Sequence, residues 1–230
     1  ILGLAPALKK LNRLKILSIK IEHSSVLAPL KQLETEGFTI GWIDIDSTGR
    51  IDMDSLKKQL TEDVGLVTIA MANHEVGTIQ DVSGIGQLCR NNKTFFHTDA
   101  VQAFGKIKIN VQEMNIDLIS MSAHKMNGPK GVGALYIRRK SPRVEIQPLL
   151  RGGSQENKMR AGTPNVPLIV GLVRAAQFNH QNLEPESQRL KEMRNLLWDQ
   201  LQKQIPGIKR NGSAEFALPH NLNVSIDGVD

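Results

Sequence analysis

The stretch Leu66-Val67-Thr68-Ile69-Ala70-Met71 is apolar almost throughout, and its reading sets the fold. A strand wetted on one face alternates apolar and polar residues. A strand covered on both faces runs continuously apolar, as this one does. Downstream, Val82 to Arg90 has helical spacing, Thr94 to Thr98 reads as a strand, and Asp117 to Met121 and Gly133 to Ile137 read as two more. Upstream, Leu14 to Ile19 is a strand and Val26 to Glu36 a helix closed by Gly37. Phe38 to Ile43 is a strand, Ser47-Thr48-Gly49 a turn, and Met53 to Leu60 an amphipathic helix. Strands alternating with helices predict an α/β domain: a mainly parallel sheet with helices on both sides.

After Gly162 the pattern changes. Val166 to Gln177 and Ser187 to Lys203 read as helices with Pro185 between them, and Leu222 to Ile226 as a last strand. A domain change near Glu184 is expected. It leaves residues 1–183 as a large domain and 184–230 as the beginning of a smaller α+β domain.

Composition narrows the function classes. The chain has 230 residues, 40% of them hydrophobic, enough for one full core and some of a second unit. No apolar run approaches the ~20 residues of a membrane span, so no membrane partner is expected. The opening ILGLAPALKK lacks the basic start and cleavage site of a signal peptide. The net charge of +6 comes from scattered Lys and Arg mixed with acids, and aromatics are few. That pattern gives neither a basic stripe nor a stacking platform, so no nucleic acid is expected. The single cysteine, Cys89, excludes internal disulfides and multi-cysteine metal sites. Ile85, Leu88 and Cys89 share a helix face, which predicts a buried, inert thiol. No metal is expected, and a reducing compartment is: the cytoplasm, or an organelle matrix in a eukaryote.

In parallel sheets, ligands bind beyond the carboxyl ends of the strands. Three strand ends carry polar groups there: Ile19-Lys20-Ile21-Glu22-His23, Phe96-His97-Thr98-Asp99-Ala100-Val101-Gln102, and Ser120-Met121-Ser122-Ala123-His124-Lys125 followed by Gly128-Pro129-Lys130-Gly131. Pyridoxal phosphate (PLP) needs an amine for a Schiff base, an acid against its pyridine nitrogen, a flat group over its ring and donors around its phosphate. Lys125, Asp99, His23 and Ser122 supply these in turn. Singly, each has a plainer explanation: a solvated lysine, a turn or cap aspartate, a structural histidine. Their joint occurrence at one sheet edge is what points to the cofactor.

These segments resemble class V aminotransferase-fold enzymes of the cysteine desulfurase group, the NifS/IscS-like proteins. The likeness runs through Glu22-His23, MANHEVGTIQDV (71–82), HTDAVQAFGK (97–106), SAHKMNGPKGVGALYIRR (122–139) and MRAGTPNVPLIVG (159–171). It implies the PLP-dependent transferase fold type I. It also implies conversion of L-cysteine to L-alanine, with the sulfur passed to an enzyme cysteine as a persulfide. From there the sulfur goes to an iron–sulfur scaffold or another acceptor protein, for iron–sulfur cluster or thio-cofactor synthesis.

By the same resemblance, Lys125 is the Schiff-base lysine and proton shuttle, Asp99 pairs with the ring nitrogen, and Gln102 donates to the ring oxygen. His23 stacks on the ring and assists proton transfer, while Ser122 and His124 hold the phosphate. Thr163 reaches the phosphate of a partner protomer, implying a homodimer. Two segments depart from the family pattern. His74 stands where a second Asn usually helps position the cofactor oxygen and the substrate carboxylate. Gly152 to Lys158 lacks the usual third Gly and Arg. The resemblance also places a phosphate loop before Ile1, and the sulfur-accepting cysteine and a carboxylate-binding arginine beyond Asp230. It therefore implies a piece lacking both ends, without turnover by itself. Selenocysteine lyase or another C–S lyase of the same fold, and an inactive truncated chain, remain alternatives.

Overall fold

The computed structural model describes residues 1–229. Six strands form one sheet in the order β2-β1-β3-β4-β5-β6. They are β1 (Lys15–Ser18), β2 (Thr39–Trp42), β3 (Val64–Thr68), β4 (Phe95–Asp99), β5 (Leu118–Ser122) and β6 (Gly133–Ile137). The first five run parallel, and β6 pairs antiparallel with β5. The connection from β5 to β6 is too short for the crossover a parallel neighbour needs.

Every residue of β3 is buried, as its apolar run predicts. The ladder continues past the strand: the Ile69 and Met71 amides donate to the carbonyls of His97 and Asp99. Alternate residues feed two cores. Ile16, Leu66 and Leu118 face one, packed by Leu8 of α1 (Ala5–Lys10) and by Val26, Leu30 and Leu33 of α2 (Ser24–Thr35). Leu17, Val67, Phe96 and Ile119 face the other. There they meet Leu56 of α3 (Met53–Gln59) and Val82, Ile85 and Cys89 of α4 (Val82–Asn91). Helices thus cover both sides of the sheet.

α5 (Val166–Gln181) and α6 (Leu183–Gln204) follow, separated only by Asn182. Pro185 does not break the chain between the helices, as the sequence suggested. It sits in the first turn of α6, where the backbone N–H has no helical partner to lose. β7 (Lys209–Asn211) and β8 (Asn223–Ser225) form a separate antiparallel pair. β8 is shorter than the Leu222–Ile226 run, and neither β7 nor α1 was anticipated. The segment between β7 and β8 is bound to the large sheet's side of the molecule. Leu218 is buried in its core, the Ile79 amide donates to the Phe216 carbonyl at 2.8 Å, and the Ser213 amide donates to Thr78 Oγ1 at 3.1 Å.

Candidate active site

The four parallel strands β1, β3, β4 and β5 deliver their carboxyl ends to one edge, and the polar residues read from the sequence gather there. Beyond β1, Glu22 is buried and His23 exposed. His23 is the N-cap of α2. Its Nδ1 accepts the Ser25 amide at 3.2 Å and lies 2.7 Å from Ser25 Oγ. An Nδ1 that accepts places the proton of the neutral ring on Nε2 and fixes the ring's orientation. The His74 ring, beyond β3, meets the His23 ring edge-on, with centroids 5.2 Å apart and planes at 82°.

Asn73 holds these two segments together. Its amide nitrogen donates to the Ile21 carbonyl at 3.0 Å, and its Oδ1 accepts from the Glu75 and Val76 amides. Gly77 closes the same turn at φ +70°, where a Cβ would stand 2.5 Å from Asn221. Neither a side chain's backbone preference nor the available space permits another residue there.

Asp99 ends β4, partly buried. Its Oδ1 accepts the Val101 amide at 2.8 Å, and among the described residues no hydrogen bond engages its second oxygen. Burial raises the Asp99 carboxyl above its ordinary pKa. The Val101 N–H and the fields of His23 and His74 pull it back. A carboxylate in such a place has a free oxygen and a need for a cation. Gln102 lies half-buried in the turn just after, and among the described residues its side chain makes no hydrogen bond.

Beyond β5, Ser122 Oγ and His124 Nδ1 pair at 2.8 Å. Lys125 stands exposed in a tight 3-10 turn (Ala123–Met126) that ends on Asn127 in the left-handed region, φ 64°. The Gly128 amide closes the turn onto the Ala123 carbonyl at 2.9 Å. α5 clamps the turn from outside: Asn179 Nδ2 donates to the Met126 carbonyl at 2.9 Å. Lys106, half-buried, has its pKa lowered by burial and by the charge of Lys125.

The structure therefore brings Lys125, His124, Ser122, Asp99, Gln102, His23 and His74 to one edge. Thr163 stands exposed on the loop leading into α5, and among the described residues no hydrogen bond joins it to that edge. The Gly152 to Lys158 loop is exposed except at Gln155, with Glu156, Asn157 and Lys158 at positive φ. Sequence reasoning passed over Glu22 and Asn73 as individuals. The one signal was polarity at strand exits otherwise flanked by apolar residues.

Below the edge, His97 is fully enclosed. Its Nδ1 lies 2.8 Å from Thr68 Oγ1 and its Nε2 2.9 Å from Ser120 Oγ, tying β3, β4 and β5 together. Cys89 is buried far from any strand exit, on α4, and burial pushes its thiol well above the ordinary range. In the folded full chain Cys89 is expected to stay unmodified by a maleimide and to react only after denaturation. Peptide mapping checks this, and labelling in the native protein would contradict the buried placement.

The class-V aminotransferase family profile matches residues 2–230, and the chain belongs to that family. Its architecture is the fold type I of PLP-dependent transferases. The chain is 44% identical to the cysteine desulfurase IscS of Ehrlichia chaffeensis, over 94% of this chain and 52% of the relative. It is 44% identical to the putative cysteine desulfurase IscS 1 of Bacillus subtilis, over 100% and 59%. Among solved structures, DndA from Streptomyces lividans superposes with a TM-score of 0.92 at 36% identity, covering 100% of this chain and 64% of that one. SspA, solved in complex with cysteine, superposes with a TM-score of 0.81 at 34% identity, covering 98% and 63%. The chain thus spans between half and three-fifths of these curated relatives' length.

Enzymes of this family work with PLP. The chemistry of the donor set fits that group. Asp99 offers one free oxygen in a partly buried spot that favours a cationic partner. His23 has an oriented ring, Ser122 and His124 are paired donors, and Lys125 is an accessible amine at the end of the adjacent strand. No group of His, Cys, Asp and Glu among the described residues has the arrangement of a metal site, and no helix there is long and apolar enough to cross a membrane.

Proposed function

We propose that this chain forms the cofactor-binding portion of a cysteine desulfurase, converting L-cysteine to L-alanine while the sulfur passes to an enzyme thiolate as a persulfide. The observation that carries the reading is the placement of Asp99 and Lys125. Asp99 ends β4 and Lys125 lies just past the end of the neighbouring parallel strand β5, with an oxygen of Asp99 left free for a charged ring nitrogen. PLP, when bound, supplies an electron sink for the bond breaking at the substrate Cα.

The chain's own residues would do the rest. Asp99 would hold a proton on the ring nitrogen. Lys125 Nζ would carry the cofactor and move the Cα proton. His23 would cover the ring face, with Nε2 free to pass a proton. Ser122 and His124 would bind the phosphate, and Gln102 and His74 the oxygens of the ring and substrate carboxylate. The accepting thiol is not Cys89, whose burial removes it from the site.

The reading extends to partners and place. Thr163 would serve the phosphate of a second protomer. The apolar residues that α5 leaves exposed on the same stretch, Val166, Ile169, Val170 and Val173, support a covered face in a homodimer. An iron–sulfur scaffold or other sulfur-acceptor protein would take the persulfide. The single, buried cysteine favours a reducing compartment, the cytoplasm or an organelle matrix. Residues 1–183 would be the large domain and 184–230 the beginning of the small one; the separate β7–β8 pair supports that division.

The test is made on this chain expressed with its natural flanks and loaded with PLP. Borohydride reduction followed by peptide mapping is expected to place the label on Lys125, and L-cysteine to yield alanine. Lys125→Ala is expected to lose both. A label on another lysine, or alanine formation surviving in that variant, would overturn the reading.

A further inference from the structure

Glu22 is an acid in an unusual place. It follows β1, 4% exposed, at the same edge as Asp99. Its Oε1 accepts the Ala70 amide at 2.6 Å, and its Oε2 is buried without a hydrogen-bond partner among the described residues. Among the described residues no Lys, Arg or His forms an ion pair with it. The charged group acting on it is Asp99, from the end of β4. Its chain neighbour His23, and His74 from the segment after β3, direct their fields at Asp99 instead.

A carboxylate buried with one oxygen unpaired and a second carboxylate nearby is strongly disfavoured. A neutral carboxyl in the same place leaves only a hydroxyl unsatisfied, which costs far less. Asp99 has the better claim to the negative charge, with one amide donor, two imidazoles beside it and more contact with water.

We propose that Glu22 is a positioning residue of this site: it is the uncharged member of a Glu22–Asp99 carboxyl pair, and by keeping its proton it leaves Asp99 as the site's one buried anion. The inference rests on the reading of Asp99 as the acid for a charged ring nitrogen, and deepens it. Burial and the charge of Asp99 raise the Glu22 carboxyl to about 8. Above that value two negative charges face each other at the edge. The field at the ring nitrogen then changes with pH although no group touching the ring has titrated.

The test uses the full chain with 13C-labelled glutamate carboxyls, the Glu22 signal being assigned by its disappearance in Glu22→Gln. Without cofactor, the Glu22 carbon is expected to titrate with a midpoint near pH 8, well above the other glutamates. With added PLP, the near-visible absorption band of the wild type is expected to step at the same midpoint, and that of Glu22→Gln to stay flat across it. Glu22→Gln keeps an acceptor for the Ala70 N–H and is expected to bind PLP at pH 7 as the wild type does. Glu22→Ala leaves that amide unpaired and is expected to bind roughly tenfold more weakly.

A Glu22 carbon already ionised at pH 7 would overturn the proposal, and so would an unchanged absorption step in Glu22→Gln. If no PLP attaches to Lys125 while the Glu22 carbon still titrates near pH 8, the functional reading falls and the division of charge between the two carboxyls is upheld.

Discussion

Replacing Asp99 by Asn is expected to lower turnover of L-cysteine by about three orders of magnitude while leaving the fold and the labelling of Lys125 in place. Asparagine has nearly the same shape and keeps an oxygen for the Val101 amide, which Asp99 Oδ1 accepts at 2.8 Å. What it loses is the charge. Removing one partner of a buried ion pair costs ~3–5 kcal/mol, and about 1.4 kcal/mol on a barrier is tenfold in rate. Two to four powers of ten follow. Electron withdrawal by the ring depends on a cationic nitrogen, so the loss falls on the chemical step, in kcat rather than KM. Steady-state kinetics on the PLP-loaded chain with its natural flanks checks it. Turnover within tenfold of wild type would mean that Asp99 has no such partner.

Much of this site was legible because the signals are local. A chain that leaves a parallel strand must leave it at the ligand-binding edge, so Asp99 and Lys125 could be placed from their strands alone. The apolar run at 66–71 marked a strand packed on both faces, and the fold found it there, with its bounds moved to Val64–Thr68. The misses share a different cause. Pro185 reads as a break, yet a first-turn proline costs a helix nothing, and only the position of Asn182 shows where that turn begins. β7 is three residues, Lys209-Arg210-Asn211, with no apolar content to mark it, and it exists through its pairing with β8. Glu22 was visible as a letter beside His23. Its burial was not visible, because that depends on how the segments after β1, β3 and β4 close over it. Asn73 was hidden for the same reason: beside two local bonds from Glu75 and Val76, its amide reaches a carbonyl some fifty residues away in the chain.

The same buried groups are expected to give the protein a stability maximum that two single substitutions flatten from opposite sides. Burial lowers the pKa of His97 from 6.5 to about 3, since the enclosed ring would carry its charge away from water. The unfolded chain binds that proton below pH 6.5 and the folded chain does not. Stability contributed by neutral His97 is therefore whole above pH 6.5 and is lost as the pH falls towards 3. Glu22 runs the other way. Its carboxyl is raised from 4.5 to about 8, so between those values the folded chain binds the extra proton, and stability falls as the pH rises. From pH 4.5 to 6.5 the two slopes oppose each other. Of these two, His97 alone acts below 4.5 and Glu22 alone between 6.5 and 8; His220, which burial lowers to about 4, adds to the acid slope. Each pH unit separating the folded from the unfolded pKa is worth about 1.4 kcal/mol, so each group's shift is worth on the order of 5 kcal/mol, of which about 2 falls in the limb where the other is silent. That is a large share of the ~5–15 kcal/mol that holds a domain folded. Denaturant midpoints of the full chain, measured from pH 3 to 9, are expected to trace a dome. Glu22→Gln should level its alkaline limb and turn the stretch between pH 4.5 and 6.5 into a rise. His97→Asn, which keeps a polar group between Thr68 and Ser120, should level its acid limb at a general cost in stability. A wild-type midpoint still rising from pH 6.5 to 8 would show that Glu22 is ionised in the fold, and the division of charge at the strand ends would fall with it.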